Sequence, residues 1–372
     1  MLVSALSDER VDKLADVLTE YSIPIEAGQQ AVIEGTTLGE PLMLALYERL
    51  LKRGAHVLLR PAFPHAGRLF FGAAGDAQLD HLWEVDRWIY ENADARFVVL
   101  SDANTKQLSR VDPAKQARVS RARKPLMDMM MKRTAAKELR WMVTLFPTEG
   151  YAIDAGMSLA DYEDFYYGAC LVDKADPVGE WTAMAARHKH LIDWMRGRNL
   201  VHIEGEGTDL YLEVGGRVFE EASGKFNFPD GEFFTGPIED RTRGVVSFSY
   251  PAIWQGKSVE GIQLVFEEGR VVSATARTNQ DFLLQMLDAD DGARVLGELG
   301  IGTNYGIKEF SGSILLDEKI GGTVHLALGA SYPETGGLND SAIHWDMVCD
   351  LRQGGRITVD GDLLMEDGKL LV

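Results

Sequence analysis

Residues 31–59 read AVIEGTTLGEPLMLALYERLLKRGAHVLL, and this stretch decides the fold of the first half of the chain. Residues 31–35 (AVIEG) form a short apolar run of strand length. Thr37-Leu38-Gly39-Glu40-Pro41 then opens a helix whose apolar residues Leu42, Leu46 and Leu50 recur at every fourth position. Pro41 suits a first helical turn, where its missing N–H has no intrahelical partner, and Gly54 closes the helix. Val57-Leu58-Leu59 follows as a buried strand. A strand, a helix and a strand in so short a span make a crossover unit with parallel strands.

Working outward, the alternation continues. A helical pattern spans about 77–92, residues 96–100 (RFVVL) form an apolar strand, a long basic helix covers about 113–139, and residues 141–146 (WMVTLF) are again strand-like. Residues 151–196 are helical and rich in aromatics. The character changes near Asn199. Glycines then come often, and short alternating stretches such as HIEGEGTDLYLEV, GVVSFSYPAI and GTVHLALG read as strands and hairpins, with one helix expected at about 281–297. The expected organisation is an α/β amino-terminal domain with a mostly parallel sheet over 1–199. A β-rich α+β domain over 200–372 follows it.

Composition narrows the function. The chain has 372 residues, is 45% hydrophobic and 26% charged, and carries a formal charge of −19. A nucleic-acid-binding surface shows a basic excess, so no nucleic-acid partner is expected. The basic run Lys115–Arg133 has no aromatic residues between its charges, which makes it a solvated helix face. No apolar run reaches the roughly 18 residues a membrane span needs. The two cysteines, Cys170 and Cys349, sit in apolar surroundings and read as buried thiols. The segment MLVSALSDERVDKLADVL is amphipathic and acidic, without the features of a secretion signal, so a reducing cytoplasm is expected.

The candidate chemistry lies in the second half. In residues 323–328 (TVHLAL) the two-residue period of a strand puts Val324, Leu326 and Leu328 on one face and His325 with Ala327 on the other. In SAIHWDM the same period puts His344 and Asp346 together and Trp345 opposite. Glu232 follows a Pro-Asp-Gly turn, which presents it from a defined backbone. Glu298 falls at the end of the expected 281–297 helix, where the dipole disfavours a negative charge and a cation would compensate. Tyr332, in the turn ASYPETGG, can ligate a metal or donate to an oxyanion, or simply pack on Pro333. Mixed imidazole and carboxylate donors at this density suit divalent cations. Asp240, Asp317, Glu239 and Glu318 are close in sequence, so local reasoning leaves open which carboxylates ligate. Gly300-Ile301-Gly302-Thr303-Asn304-Tyr305 reads as a turn, and His188 and His190 as residues of a polar helix face.

Taken in order, HIEGEGTDLYLEV, FPDGEFFTGPIED, VSFSYPAI, GIGTNYGI, DEKIGGTVHLALG, SYPETGG and SAIHWDM resemble the aminopeptidase T family of thermophilic-type metallo-aminopeptidases. The motifs cover about residues 201–365, and the amino-terminal half resembles the family more loosely. The resemblance implies two domains, with two divalent metals held in the β-rich one by Glu232, Glu298, His325, His344 and Asp346, and with Tyr332 at the position of a metal-site tyrosine. It also implies zinc or cobalt (manganese or magnesium as alternatives), a homodimer, and peptide substrates with a free N-terminus. Within that reading Glu298, and after it Glu318, is the expected proton acceptor. Two rivals remain: a mononuclear Fe(II) ring-cleaving dioxygenase on a related scaffold, and a non-catalytic metal- or peptide-binding protein.

Overall fold

The structure is a computed structural model that describes residues 8–254 and 256–372. The first seven residues of the amino-terminal segment discussed above lie outside the described residues. The chain divides into two compact units, Met1–Trp181 with Gly224–Pro229 and Thr182–Ser223 with Asp230–Val372.

The first unit is built on a five-stranded sheet. Its order is His56–Ala62, Gln30–Thr36, Ala95–Leu100, Arg140–Leu145, Asn227–Phe228, and every pairing is parallel. The crossover between the first two strands is the helix Glu40–Lys52, with Pro41 in its first turn. Leu42, Met43, Ala45, Leu46 and Leu50 form its buried stripe. Past its end, Gly54 adopts a φ of +81°, and the Ala55 N–H turns back to the Leu50 carbonyl, as a glycine just beyond a helix does. Ala31, Val32 and Ile33 are all buried, the pattern of a parallel strand covered on both faces.

Two expected helices are shorter or broken. The 77–92 pattern resolves into Asp76–Leu79 and Glu84–Asn92, and the basic helix ends at Ala135. On that helix Arg118 pairs with Asp76 and Asp80, each at 2.6 Å, while Met130 is buried and Met127 and Met131 are exposed. Cys170 and Cys349 are free, buried thiols. No helix among the described residues is long and apolar enough to cross a membrane.

Among the described residues the second unit holds a two-stranded antiparallel sheet, Ala252–Trp254 with Lys257–Val259, and two large antiparallel ones. One has eight strands, in the order Arg270–Thr275, Gln263–Glu267, Arg243–Ser247, Thr208–Glu213, Leu200–Gly205, Arg356–Val359, Asp362–Glu366, Lys369–Leu370. The other has five, in the order His344–Asp350, Thr323–Gly329, Leu296–Gly302, Glu232–Thr235, Glu220–Ala222. One core joins them, with Val201, Ile203, Leu210 and Leu212 from the first and Leu299, Ile301, Val324, Leu326, Leu328, Trp345 and Met347 from the second. Each such side chain contributes about 1.5–3 kcal/mol by leaving water. That face fixes the register of the five-stranded sheet, because a slip of one residue would turn the whole apolar set outward.

The expected 281–297 helix is corrected here. The helix is Gln280–Leu287, and Leu296–Gly302 is a strand. The reason is local: Asp288 to Gly292 is a cluster of backbone-competing residues, and Asp290 accepts from the Gly292 N–H at 2.9 Å. Glu298 therefore stands in mid-strand, so the helix-dipole argument for it does not apply. The 300–305 segment is likewise no simple turn, since Gly300 to Gly302 complete that strand.

Candidate metal centre

The face of the five-stranded sheet opposite the core gathers the candidate ligands. Across three strands Glu298 pairs with Ala327, and Ala327 with Asp346. Two pairs further along, on the same face, Gly300 lies opposite His325. Glu232 lies opposite Gly302 on the fourth strand, and His344 opposite Gly329. Between the large side chains the sheet thus places alanine or glycine, which leaves room for carboxylates and imidazoles above it.

Two local features aim the site. The pairing shifts between Leu296 and Glu298, a β-bulge at Gly297. Strict alternation would put Leu296 and Glu298 on one face; the bulge sends Leu296 into the core with Leu299 while Glu298 points to the site. Gly300 provides the second feature. A Cβ there would lie 2.0 Å from His325 Nε2, so the imidazole occupies space that only glycine leaves.

The side chains converge. His325 Nε2 is 3.1 Å from Glu232 Oε2 and 3.2 Å from Glu298 Oε1. The other oxygen of Glu298, Oε2, is 3.2 Å from His344 Nε2, which in turn is 3.5 Å from Asp346 Oδ1. Glu298 thereby links the two imidazoles, one with each oxygen. His344 Nδ1 donates to the Ala330 carbonyl at 2.7 Å, which turns Nε2 toward the carboxylates. Potential ligand atoms fall into three overlapping groups, each within 4.8 Å: Glu232, Glu298 and His325; Glu298, His344 and Asp346; Glu318, His325 and Asp346.

Glu232 Oε2, His325 Nδ1 and Asp346 Oδ1 are buried without a hydrogen-bond partner. Buried polar atoms are normally satisfied, so three such atoms around one cage mark it as shaped for a group that is itself polar or charged. The donor set, nitrogen and oxygen with no thiol, fits divalent cations.

Electrostatics agree. Burial alone would raise Glu298, yet hydrogen bonds from His325 and His344 hold it down at about 2. Burial would lower both imidazoles, and the carboxylates overcome it: Glu232 and Glu298 lift His325 to about 9, Asp346 and Glu298 lift His344 to about 11. Burial raises Glu232 against the pull of Lys319 and His325, and raises Glu318 against Lys319. Asp317 is pushed up to about 7 by burial, against hydrogen bonds from Ser311. A cage that raises its own imidazoles this far attracts positive charge.

Glu232, Glu298, His325, His344 and Asp346 are therefore brought together, with Glu318 beside them. Tyr332 is at the rim, 44% exposed, its ring 5.1 Å from that of His344 and 5.5 Å from that of Phe234. Burial and the charges of Glu298 and Asp346 raise its phenol. Glu239 is not in the cage: it pairs with Arg217 at 2.5 Å and accepts from the Leu338 N–H. Asp240 pairs with Arg241 at 3.4 Å, and Asp317 accepts from Ser311. His188 is corrected too: it is fully buried, with Nε2 2.6 Å from the Thr303 hydroxyl, while His190 is exposed. Sequence reasoning missed Lys319 and Asp230. Lys319 Nζ touches Glu232 Oε1, Glu318 Oε1 at 2.8 Å and Asp230 Oδ1 at 3.6 Å. The dipeptide Glu318-Lys319 inside DEKIGG was its one trace in the sequence.

Comparisons with known proteins bear on the family and the fold. The family model for the thermophilic metalloproteases (M29) matches residues 7–370. Aminopeptidase 2 of Geobacillus stearothermophilus is 26% identical, over 95% of each chain. Wild-type AmpT from Thermus thermophilus superposes with a TM-score of 0.83 at 25% identity, covering 98% of this chain and 99% of that one. A 2,5-dihydroxypyridine dioxygenase from Pseudomonas putida KT2440 superposes with a TM-score of 0.57 at 14% identity, over 99% and 98% of the two chains, a likeness of fold alone.

Proposed function

The chain belongs to the thermophilic metalloprotease (M29) family, and from that premise we propose that it is a metal-dependent aminopeptidase acting on peptides with a free N-terminus. The observation that carries this reading is the convergence of Glu232, Glu298, His325, His344 and Asp346 around buried atoms that lack partners. Full-length relatives named as aminopeptidases support it. Charge supports a pair of divalent ions. Asp230, Glu232 and Glu318 surround one ammonium, that of Lys319, while Glu298 and Asp346 face the imidazoles, so five carboxylates share the cage with a single lysine.

In this reading Glu232, Glu298, His325, His344 and Asp346 hold two divalent cations, zinc or cobalt, with manganese or magnesium as alternatives. Such ions, when bound, lower the pKa of a water toward neutrality and polarise the scissile carbonyl. The protein's own groups do the rest. Glu298 spans the site, with one oxygen toward each imidazole. Because both its oxygens are engaged, Glu318 is the better carrier of the proton from the attacking water to the leaving amine. Tyr332, half-exposed at the rim, would donate to the oxyanion or ligate. A carboxylate of the same cage meets the substrate's α-ammonium, which selects N-termini. The reading extends to a homodimer in the cytoplasm.

The dioxygenase alternative needs only His325, His344 and Asp346 for a mononuclear Fe(II). It leaves buried Glu298 and the free oxygen of Glu232 without a metal ion, and its support is a distant likeness of fold. An assay with aminoacyl p-nitroanilides tests the proposal. Cleavage should cease with chelator, return with zinc or cobalt, and fail when the substrate amine is acetylated. Equal cleavage of the acetylated substrate, or none after add-back, would refute it.

A further inference from the structure

Lys319 is the unexpected member of the cage. It follows the short helix Ile314–Asp317, and its side chain is only 3% exposed. An ammonium beside a cation site opposes cation binding, so it does not serve to strengthen metal retention. Neither is it left unpaired, which at this depth would be costly. Its neighbours indicate what it does.

Glu232 divides its two oxygens. Oε1 is taken by the Lys319 ammonium, whereas Oε2 has no hydrogen-bond partner and points to His325 Nε2 at 3.1 Å. The same ammonium holds Glu318 Oε1 at 2.8 Å. Lys319 is itself anchored on the scaffold of the site. Its carbonyl accepts from the Asn304 N–H at 3.0 Å, and the Asn304 amide donates to the Asp230 carbonyl at 2.8 Å. Asp230 and Glu232 flank Gly231, and Thr303 beside Asn304 donates its N–H to the Gly231 carbonyl at 2.8 Å. The ammonium and the carboxylate it orients are thus fixed by one short backbone network.

We propose that Lys319 is a positioning residue of the metal centre. It claims one oxygen of Glu232 so that the carboxylate offers a single oxygen to a cation, and it steadies Glu318 at the edge of the same cage. The inference rests on the proposed metallo-aminopeptidase reading. Its physical content is separate: a carboxylate with one oxygen held by a cationic side chain gives less charge to a metal than one chelating with both. The metal keeps more of its power to polarise water and carbonyl.

The test replaces Lys319 by Met, which keeps length and removes charge, and compares it with wild type after loading both with cobalt. Elemental analysis should find as many cobalt equivalents in Lys319→Met as in wild type. The visible cobalt absorption should weaken, because a Glu232 released to chelate with both oxygens raises the coordination number. The kcat on an aminoacyl p-nitroanilide should fall roughly 10- to 100-fold with KM nearly unchanged, the range seen for groups that orient metal ligands. An unaltered spectrum and kcat would overturn the assignment. Wild type that takes up cobalt yet cuts no peptide would sink the functional reading, while the spectra would still judge Lys319. Should the variant not fold, a crystal structure of zinc-loaded wild type decides. Glu232 with one oxygen on the ion and the other on Lys319 supports the proposal; Glu232 chelating with both, or Lys319 turned away, refutes it.

Discussion

The imidazole of His325 lies directly over Gly300, so close that a Cβ on residue 300 would sit 2.0 Å from Nε2. This relation ties backbone register to chemistry, because the two residues face each other across paired strands. Gly300→Ala should therefore displace the imidazole while the core face of the strand stays intact. We expect a destabilisation of about 1–3 kcal/mol from overpacking, together with loss of zinc on dialysis. Denaturant titration and elemental analysis check both; a stable variant with full metal content would refute the assignment of this contact.

His344→Ala should abolish metal retention and peptidase activity together. Its Nε2 faces Glu298 and Asp346, and its Nδ1 is spent on the Ala330 carbonyl, so no neighbour can replace it. An active, fully metallated variant would refute its role. The Ala330 hydrogen bond gives a finer check. His344→Gln should keep the fold, as judged by circular dichroism, and still lose metal.

Much of this was legible beforehand, and the reason is periodicity. TVHLALG and AIHWDM alternate cleanly, so the faces carrying His325, His344 and Asp346 could be read from spacing two apart. The crossover at 31–59 was equally plain, since its helix stripe and closing glycine both speak locally. Glu298 was misplaced because Leu296–Gly302 is rich in glycine and carries a bulge, so neither strand propensity nor strict alternation announces it. Lys319 leaves only the dipeptide Glu318-Lys319 as a trace, for a different reason. Its meaning comes from Glu232, 87 residues away, and no local pattern marks a buried ammonium. His188 was misread because a polar helix residue gives no sign that a Thr303 hydroxyl awaits it.

Stability of the second unit should depend on the apolar face beneath the site. Leu326 is fully buried in the shared core, on the strand that presents His325. Leu326→Ala should cost about 2–5 kcal/mol, the range for a buried leucine that leaves a cavity. Urea unfolding of the metal-free protein measures it; a change below 1 kcal/mol, on the order of a surface substitution, would contradict the core assignment.

A pH effect is expected away from the cage. Burial would raise Asp350, but Arg352, through Nε and Nη2, and the Tyr250 hydroxyl at 2.7 Å hold it below the usual carboxylate range. A depressed folded-state pKa adds stability above the unfolded value of about 3.9 and loses it as pH falls through the folded one. Both partners are partly exposed, so Arg352→Met should cost only about 0.5–1 kcal/mol at pH 7. The difference from wild type should shrink toward pH 3. A cost that grows on acidification would reverse the sign and contradict the pairing.

The central claim is that these side chains hold paired divalent cations that hydrolyse N-terminal peptide bonds. The most direct measurement titrates metal-free protein with zinc or cobalt and follows bound metal and peptide cleavage in the same samples. The account predicts that activity rises with occupancy and reaches its plateau at about two ions per chain. Saturation at a single iron, or full occupancy without any release of N-terminal residues, would contradict it.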